Sequence, residues 1–192
     1  MAEQPDLAGV LATIREGDPS AMQALYERYA AQLYHVCLVR LGDGDAAQEV
    51  VQQVFIHVWQ RLPTFDERGE AALIAWLHTI AYHAVVTRIR KRKRQLSVAR
   101  GADVTVAQRP GTDPAGTVSE RLTVRQALAR LSPAQQQVIA LRYLAGLSTA
   151  QTARVLDRTE GAVKALHQRA LVRLHAILTA EHGPAEGAPP QP

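Results

Sequence analysis

Two stretches of this sequence carry side chains whose types and spacing suit contact with a polyanion. The first is Arg88-Ile89-Arg90-Lys91-Arg92-Lys93-Arg94, six cations in seven positions. One or two cations satisfy the negative end of a helix. Six point to phosphates bound through counterion release, with salt-dependent affinity and little sequence information. The second stretch runs from Gly161 to Arg169. With Val163 on the core side of a helix and about 100° per residue, Leu166, Ala170 and Leu174 fall beside it. Gly161, Lys164, Ala165, Gln168 and Arg169 then face outward. Gln and Arg can each make two hydrogen bonds to a base edge, Lys can meet a base or a phosphate, and Gly161 and Ala165 permit close approach. Glu160 complements the positive end of the helix or accepts from cytosine, and His167 falls near the core side as a packed histidine.

A solvated helix face can carry the same residues, so the elements around them decide. Ser148 caps a short helix with apolar Ala153, Val155 and Leu156, and Asp157-Arg158-Thr159 forms a turn before the next helix. This is helix-turn-helix spacing. Other chemistries lack support. The seven histidines, His35, His57, His78, His83, His167, His175 and His182, form no HExxH-type metal pairing. No glycine-rich phosphate loop and no Ser/His/Asp assignment is evident, so the reading is a non-enzymatic protein with no catalytic residues, no metal site and no cofactor. The single cysteine, Cys37, reads as a small buried apolar residue on a helix face.

The 192 residues allow one ordinary domain or two small ones, and the 47% hydrophobic, Ala- and Leu-rich composition favours helix. Asp18-Pro19-Ser20 is a helix start, followed by apolar residues at steps of three and four from Met22 to Cys37. Gly42-Asp43-Gly44-Asp45 interrupts the period, which resumes with Val51, Val54, Phe55, Val58, Trp59 and Leu62 and stops at Pro63. A third helix carries Leu73, Leu77, Ile80, Ala81 and Ala84 into the basic run. Residues 71–87 lack formal charge but are too short and too rich in His, Thr and Tyr for a bilayer span. No basic-then-apolar leader opens the chain, so a cytoplasmic protein is expected.

Between residues 96 and 119 the period gives way to Gly, Pro and small polar residues, the composition of a flexible linker. Ser132-Pro133 then repeats the cap-plus-proline start. The expected organisation is an N-terminal extension (1–17), a helical domain (18–95), the linker (96–119), a helix-turn-helix domain (120–180) and a disordered tail (181–192). It is an all-α fold of two small domains. Charge divides along the same lines: residues 1–87 hold five Lys/Arg against eleven Asp/Glu, whereas residues 120–180 hold nine against three. Basic blocks call for nucleic acid, and the acidic block calls for a second, different partner. A free-standing repressor or activator dimerising on a palindrome would explain residues 120–180 but gives the acidic helix and the cationic helix end no task.

The residues resemble the sigma-70 family of bacterial RNA polymerase sigma factors, in its extracytoplasmic-function group. Region 2 is similar to residues 25–94, where the stretch from Ala47 to Trp59, AQEVVQQVFIHVW, matches the acidic helix of the family and is followed by Ala75-Trp76-Leu77 and Ile80-Ala81. Region 4 is similar to residues 128–178, through Leu131-Ser132-Pro133, Leu141-Arg142-Tyr143, Gly146-Leu147-Ser148 and Gly161-Ala162-Val163-Lys164.

The resemblance implies that Asp45, Glu49, Gln52 and Gln53 face the clamp of the polymerase's largest subunit, with the flap of the second-largest subunit a further contact. It implies that Arg68, Trp76, His83, Thr87, Arg88, Arg90 and Lys91 serve the −10 element, with an extruded base, and that Lys164, Ala165, Gln168 and Arg169 read the −35 element as duplex. Restraint by an anti-sigma protein is a family-level expectation. His83 and Thr87 stand where the family commonly has Asn and Asp, Leu73-Ile74 replace a usual Phe and basic residue, and Leu166 replaces a frequent Arg. His83 is open to either a DNA contact or packing.

Overall fold

The computed structural model describes residues 18–62, 65, 69–99 and 118–182, together with Thr13. The rest of the expected N-terminal extension, the linker between 100 and 117, Arg68 and the tail from 183 lie outside the described residues. All regular structure among the described residues is helical.

Helix α1 (Pro19–Leu41) starts as its sequence dictates, with Asp18 accepting from Ser20 N at 2.8 Å and Pro19 in the first turn. It stops at Gly42, whose φ of 67° turns the chain left-handed and lets its N–H bond back to Leu38 O at 2.8 Å. Asp43 then caps α2 (Gly44–Arg61), accepting from Ala46 N at 3.0 Å. Helix α3 (Glu70–Ala99) is the longest element, and it runs through the basic run past the expected domain boundary at 95. The three pack around Leu25, Leu33, Val54, Val58, Leu62, Leu73, Leu77 and Val85. By length and composition α3 alone among the described helices could cross a bilayer. Its Leu73, Leu77, Ala81 and Val85 stripe is instead consumed by this core.

The second module comprises α4 (Val118–Ala129), α5 (Pro133–Ile139), a π-helical turn (Ala140–Leu144), α6 (Thr149–Leu156) and α7 (Glu160–His182). Ser132 and Ser148 each close a reciprocal capping box, with Gln135 and Gln151 respectively. Val138, Leu141, Leu147, Val155, Leu156 and Val163 form the core, and Leu131, Ile139 and Ala170 form a smaller one beneath α4. Buried Gln136 holds the end of α4 by donating from Nε2 to Leu128 O at 3.0 Å and Leu131 O at 3.3 Å.

The two modules share a packed seam, a feature absent from the sequence-level expectation of tethered, separate domains. Val36 of α1 belongs to the second module's core, and Val39, Ile74, Ala75 and Tyr82 pack against it. Among the described residues, hydrogen bonds cross from Arg40 Nη1 to Gln136 Oε1 at 3.0 Å, from Gln151 Nε2 to Ala71 O at 3.0 Å, and from Arg125 Nη2 to Gly42 O at 3.4 Å.

His78 of α3 lies in the interior at 1% exposure; its nearest polar partner is Gln32 Oε1 at 3.4 Å, and its Nδ1 has none. Burial drives its pKa down from 6.5 to about 4, so it is neutral at physiological pH. Below pH 6.5 the unfolded chain binds a proton that the folded chain refuses until about pH 4. Stability therefore falls as pH drops through that window, by about 3 kcal/mol in total. His78→Leu should flatten this acid limb. Urea unfolding at several pH values between 7 and 4 checks it, and parallel slopes for wild type and variant would count against the assignment.

Candidate nucleic-acid interface and partner surface

Helix α7 owes its orientation to the chain on either side of α6. Gly146, at φ 65°, turns the chain into the Ser148 cap, and Arg142 donates to Leu147 O across the same turn. At the other end Asp157 adopts φ 50° and ψ 55°, the left-handed conformation, and Arg158 N bonds back to Ala153 O at 2.9 Å. Thr159 Oγ1 then accepts from Ala162 N at 3.2 Å, opening α7. Val163, Ala170 and Ile177 anchor one side of α7. Lys164, Ala165, Gln168 and Arg169 are all exposed on the opposite side, with Gly161 beside them. A Cβ on Gly161 would meet no atom within 4 Å, so packing does not demand glycine there and the surface is open.

His167 is a packed histidine, and its partner is a tyrosine at the surface and not the core. It is half-buried at the flank of α7 and stacks on Tyr143, with ring centroids 5.6 Å apart at 28° and its Nε2 3.0 Å from the Tyr143 hydroxyl. Tyr143, 59% exposed, entered the sequence reading only as part of the Leu141-Arg142-Tyr143 motif; its outward position comes from the π-helical turn, and π-bulges are frequent at functional sites.

On the first module, Asp45, Glu49, Gln52 and Gln53 are exposed along α2. Helical geometry aligns them with Ile56 and Trp59, which are 59% and 44% exposed. The sequence reading assigned Trp59 to the apolar core stripe. The structure turns it outward, because Val58 and Leu62 already fill that part of the core. The result is an acidic and amide-bearing face with an apolar end.

Along α3, helical steps align Trp76, His83, Thr87, Arg90 and Lys91 in one stripe. The last four are exposed. Trp76 is half-buried, packed on the core and against Phe65 with centroids 4.9 Å apart. Arg88 points elsewhere: its guanidinium pairs with Glu49 of α2 at 2.5 Å. This pair joins one residue expected to meet DNA with one expected to meet the polymerase. A second pair, Arg28–Glu70 at 2.5 Å, ties α1 to the start of α3. Tyr29 donates to the same carboxylate at 2.9 Å, and burial with that carboxylate pushes the phenol up to about 12.

Among the described residues no group of three or more His, Cys, Asp or Glu could hold a metal ion. Cys37 is buried, which pushes its thiol up to about 12 and leaves little thiolate for redox chemistry.

Family models match both halves of the chain: Sigma-70 region 2 over residues 25–95 and Sigma-70 region 4 over residues 121–174. The ECF RNA polymerase sigma factor BldN of Streptomyces coelicolor is 33% identical over 165 residues, covering 84% of this chain and 62% of that protein. The chain thus spans less than two thirds of BldN. The ECF RNA polymerase sigma factor SigL of Mycobacterium tuberculosis is 33% identical over 148 residues, covering 77% of this chain and 82% of that one. Among solved structures, the sigma factor RpoE in complex with the anti-sigma factor NepR, from Bartonella quintana, is similar in fold. It has a TM-score of 0.65 at 24% identity and covers 82% of this chain and 98% of that one. CnrH in complex with the cytosolic domain of CnrY superposes with a TM-score of 0.64 at 25% identity, covering 90% and 96%.

The left-handed residue before α7 gives a direct test of what orients that helix. Asp157→Val should destabilise the protein by about 1–2 kcal/mol, because a β-branched residue resists this conformation, whereas Asp157→Gly should be neutral or stabilising. Thermal unfolding checks the order, and equal stability of the two variants would show that the turn does not depend on it.

Proposed function

Because the chain belongs to the extracytoplasmic-function group of the sigma-70 family, we propose that it binds core RNA polymerase through α2 and directs initiation by reading −35 and −10 elements with α7 and α3. The observation that carries this reading is the segregation of charge and shape. An acidic face ending in Ile56 and Trp59 lies on one helix, and the polar faces suited to DNA lie on two others.

Asp45 and Glu49 supply charge for a basic surface on the polymerase clamp, Gln52 and Gln53 supply amides, and the apolar end adds burial to a contact that charge alone would leave salt-sensitive. Lys164, Gln168 and Arg169 offer donors to base edges and phosphates of the −35 duplex, and Ala165 keeps the backbone close. Arg90 and Lys91 attract the −10 backbone beside His83 and Thr87, with Arg68 and Arg88 adding charge. Trp76, against Phe65, supports an aromatic platform at the head of the same stripe. Unstacking a base costs a few kcal/mol, which cationic and aromatic contacts to the displaced strand can offset. Strand opening then draws on binding energy, and the chain itself acts as a non-enzymatic cytoplasmic regulator without nucleotide hydrolysis. The flap of the second-largest subunit and an anti-sigma protein are further partners of this reading.

Reconstitution with core polymerase and a promoter library tests it: core alone should give no specific initiation, and core plus this chain should initiate from one promoter class. Failure to associate with core would end the proposal. Arg169→Ala should lower −35-dependent initiation by about ten-fold or more, the worth of a good base-edge contact. Glu49→Gln should weaken association with core while leaving DNA binding by the chain unchanged or stronger, because Arg88 loses its intramolecular partner. A variant that kept core affinity but lost DNA binding would reverse the assignment.

A further inference from the structure

Between residues 118 and 182 the chain has a single residue of the Phe, Trp and Tyr kind, Tyr143, and the fold leaves it 59% exposed. Burying such a ring would remove a large apolar area from water. Instead the π-helical turn over Ala140–Leu144, closed by Ala145 N on Ala140 O at 3.1 Å, sends Tyr143 outward against α7. There it stacks on His167, with its hydroxyl 3.0 Å from Nε2. An exposed aromatic held by both its face and its hydroxyl has little freedom left to lose when a ligand meets it, so the group is prepared for contact.

Its place beside α7 says what it would meet. At about 100° per residue, His167 lies about 40° around the helix from buried Val163 and about 60° from exposed Lys164, on the flank between the core and the outward set. An α-helix about 10–12 Å across fills a major groove about 12 Å wide. Its outermost residues then face base edges, and its flanks face the phosphates that wall the groove. Tyr143 adds a second ring to the Lys164 flank, and tyrosine hydroxyls are among the ordinary donors to phosphate oxygens. Glu160 falls on the same flank but two turns nearer the start of α7, about 10 Å away along the axis.

The hydrogen bond between the two rings admits two arrangements. If the hydroxyl donates to a bare Nε2, its single proton is engaged and only lone pairs face the groove. If Nε2 carries the proton and donates to the hydroxyl oxygen, the phenol proton is free, and the donation polarises it toward an acceptor. An anionic acceptor selects the second arrangement. We propose that Tyr143 is a DNA-backbone contact, donating its hydroxyl proton to a phosphate on the Lys164 side of the groove occupied by α7. His167 is the positioning residue that holds the ring and leaves that proton free. The inference rests on the reading of α7 as a duplex-binding helix and adds to it a contact without sequence information. Tyr143 fixes how α7 sits in the groove, while base preference stays with Gln168 and Arg169.

Tyr143→Phe keeps the stacked ring and removes the hydroxyl. With the full chain, alone and on core polymerase, it should bind a duplex bearing the −35 sequence recovered from the promoter library about five-fold more weakly than wild type. The loss should be the same at every salt concentration, because a neutral hydroxyl releases no counterion, whereas Lys164→Ala should lower the slope of log affinity against log salt by about one. Preference for the −35 duplex over a scrambled one should be unchanged. Replacing single phosphates by methylphosphonates along that duplex should reveal one backbone position where wild type loses affinity and Tyr143→Phe loses no more. Nitrogen-15 NMR of the His167 ring in the complex should find a proton on Nε2. Unchanged affinity of Tyr143→Phe, lost base preference instead of lost affinity, no such backbone position, or a bare Nε2 in the complex would each overturn the proposal. If wild type prefers no duplex over a scrambled one, the −35 reading falls, while an equal Tyr143→Phe loss on scrambled DNA still upholds the phosphate contact.

Discussion

The structure depends on the burial of one apolar stripe. Leu73, Leu77, Ala81 and Val85 recur along the first half of α3 and fill the space between α1 and α2. Each large apolar side chain removed from water in this way is worth about 1.5–3 kcal/mol. The same helix continues through six cations that no core could accept, so burying one half projects the other into solvent as a charged rod. The position of the basic run relative to the acidic face of α2 follows from that packing. So does the Arg88–Glu49 pair, which needs both helices fixed before its long side chains can meet.

The second module solves a different problem, that of aiming a helix with very little core. It has short elements, so end effects carry much of the orientation. Two serine capping boxes, a left-handed Asp157 and the Thr159 cap satisfy backbone groups at nearly every helix end around α6 and α7. The buried Gln136 adds a polar fixture that ties α4 to α5 and, through Arg40, the second module to the first. A glutamine serving both purposes makes the intermodule contact specific in register as well as apolar.

Function in this family asks one chain to hold a protein machine and two stretches of DNA. On the function proposed above, segregated charge answers the first demand, because an acidic face and basic faces on separate helices do not compete for the same partner. The second falls to the exposed faces of α7 and α3, one in each module.

Much of this was legible in the sequence, because the signals are local. Caps, breakers and three-to-four-residue periodicity act over a single turn, so Asp18, Gly42, Asp43, Ser132 and Ser148 announce their helix ends, and the outward set of α7 follows from Val163 facing the core. The family resemblance adds the division into two regions. Tertiary structure alone decided the contacts between residues far apart in the chain: Arg88 with Glu49 across 39 positions, Arg40 with Gln136 across 96, and His167 with Tyr143 across 24. Trp59 shows the same limit, since its apolar period is correct but the space it would fill is taken. Periodicity states which side of a helix is apolar; which neighbour covers that side depends on packing the whole chain, and no window of sequence contains that information.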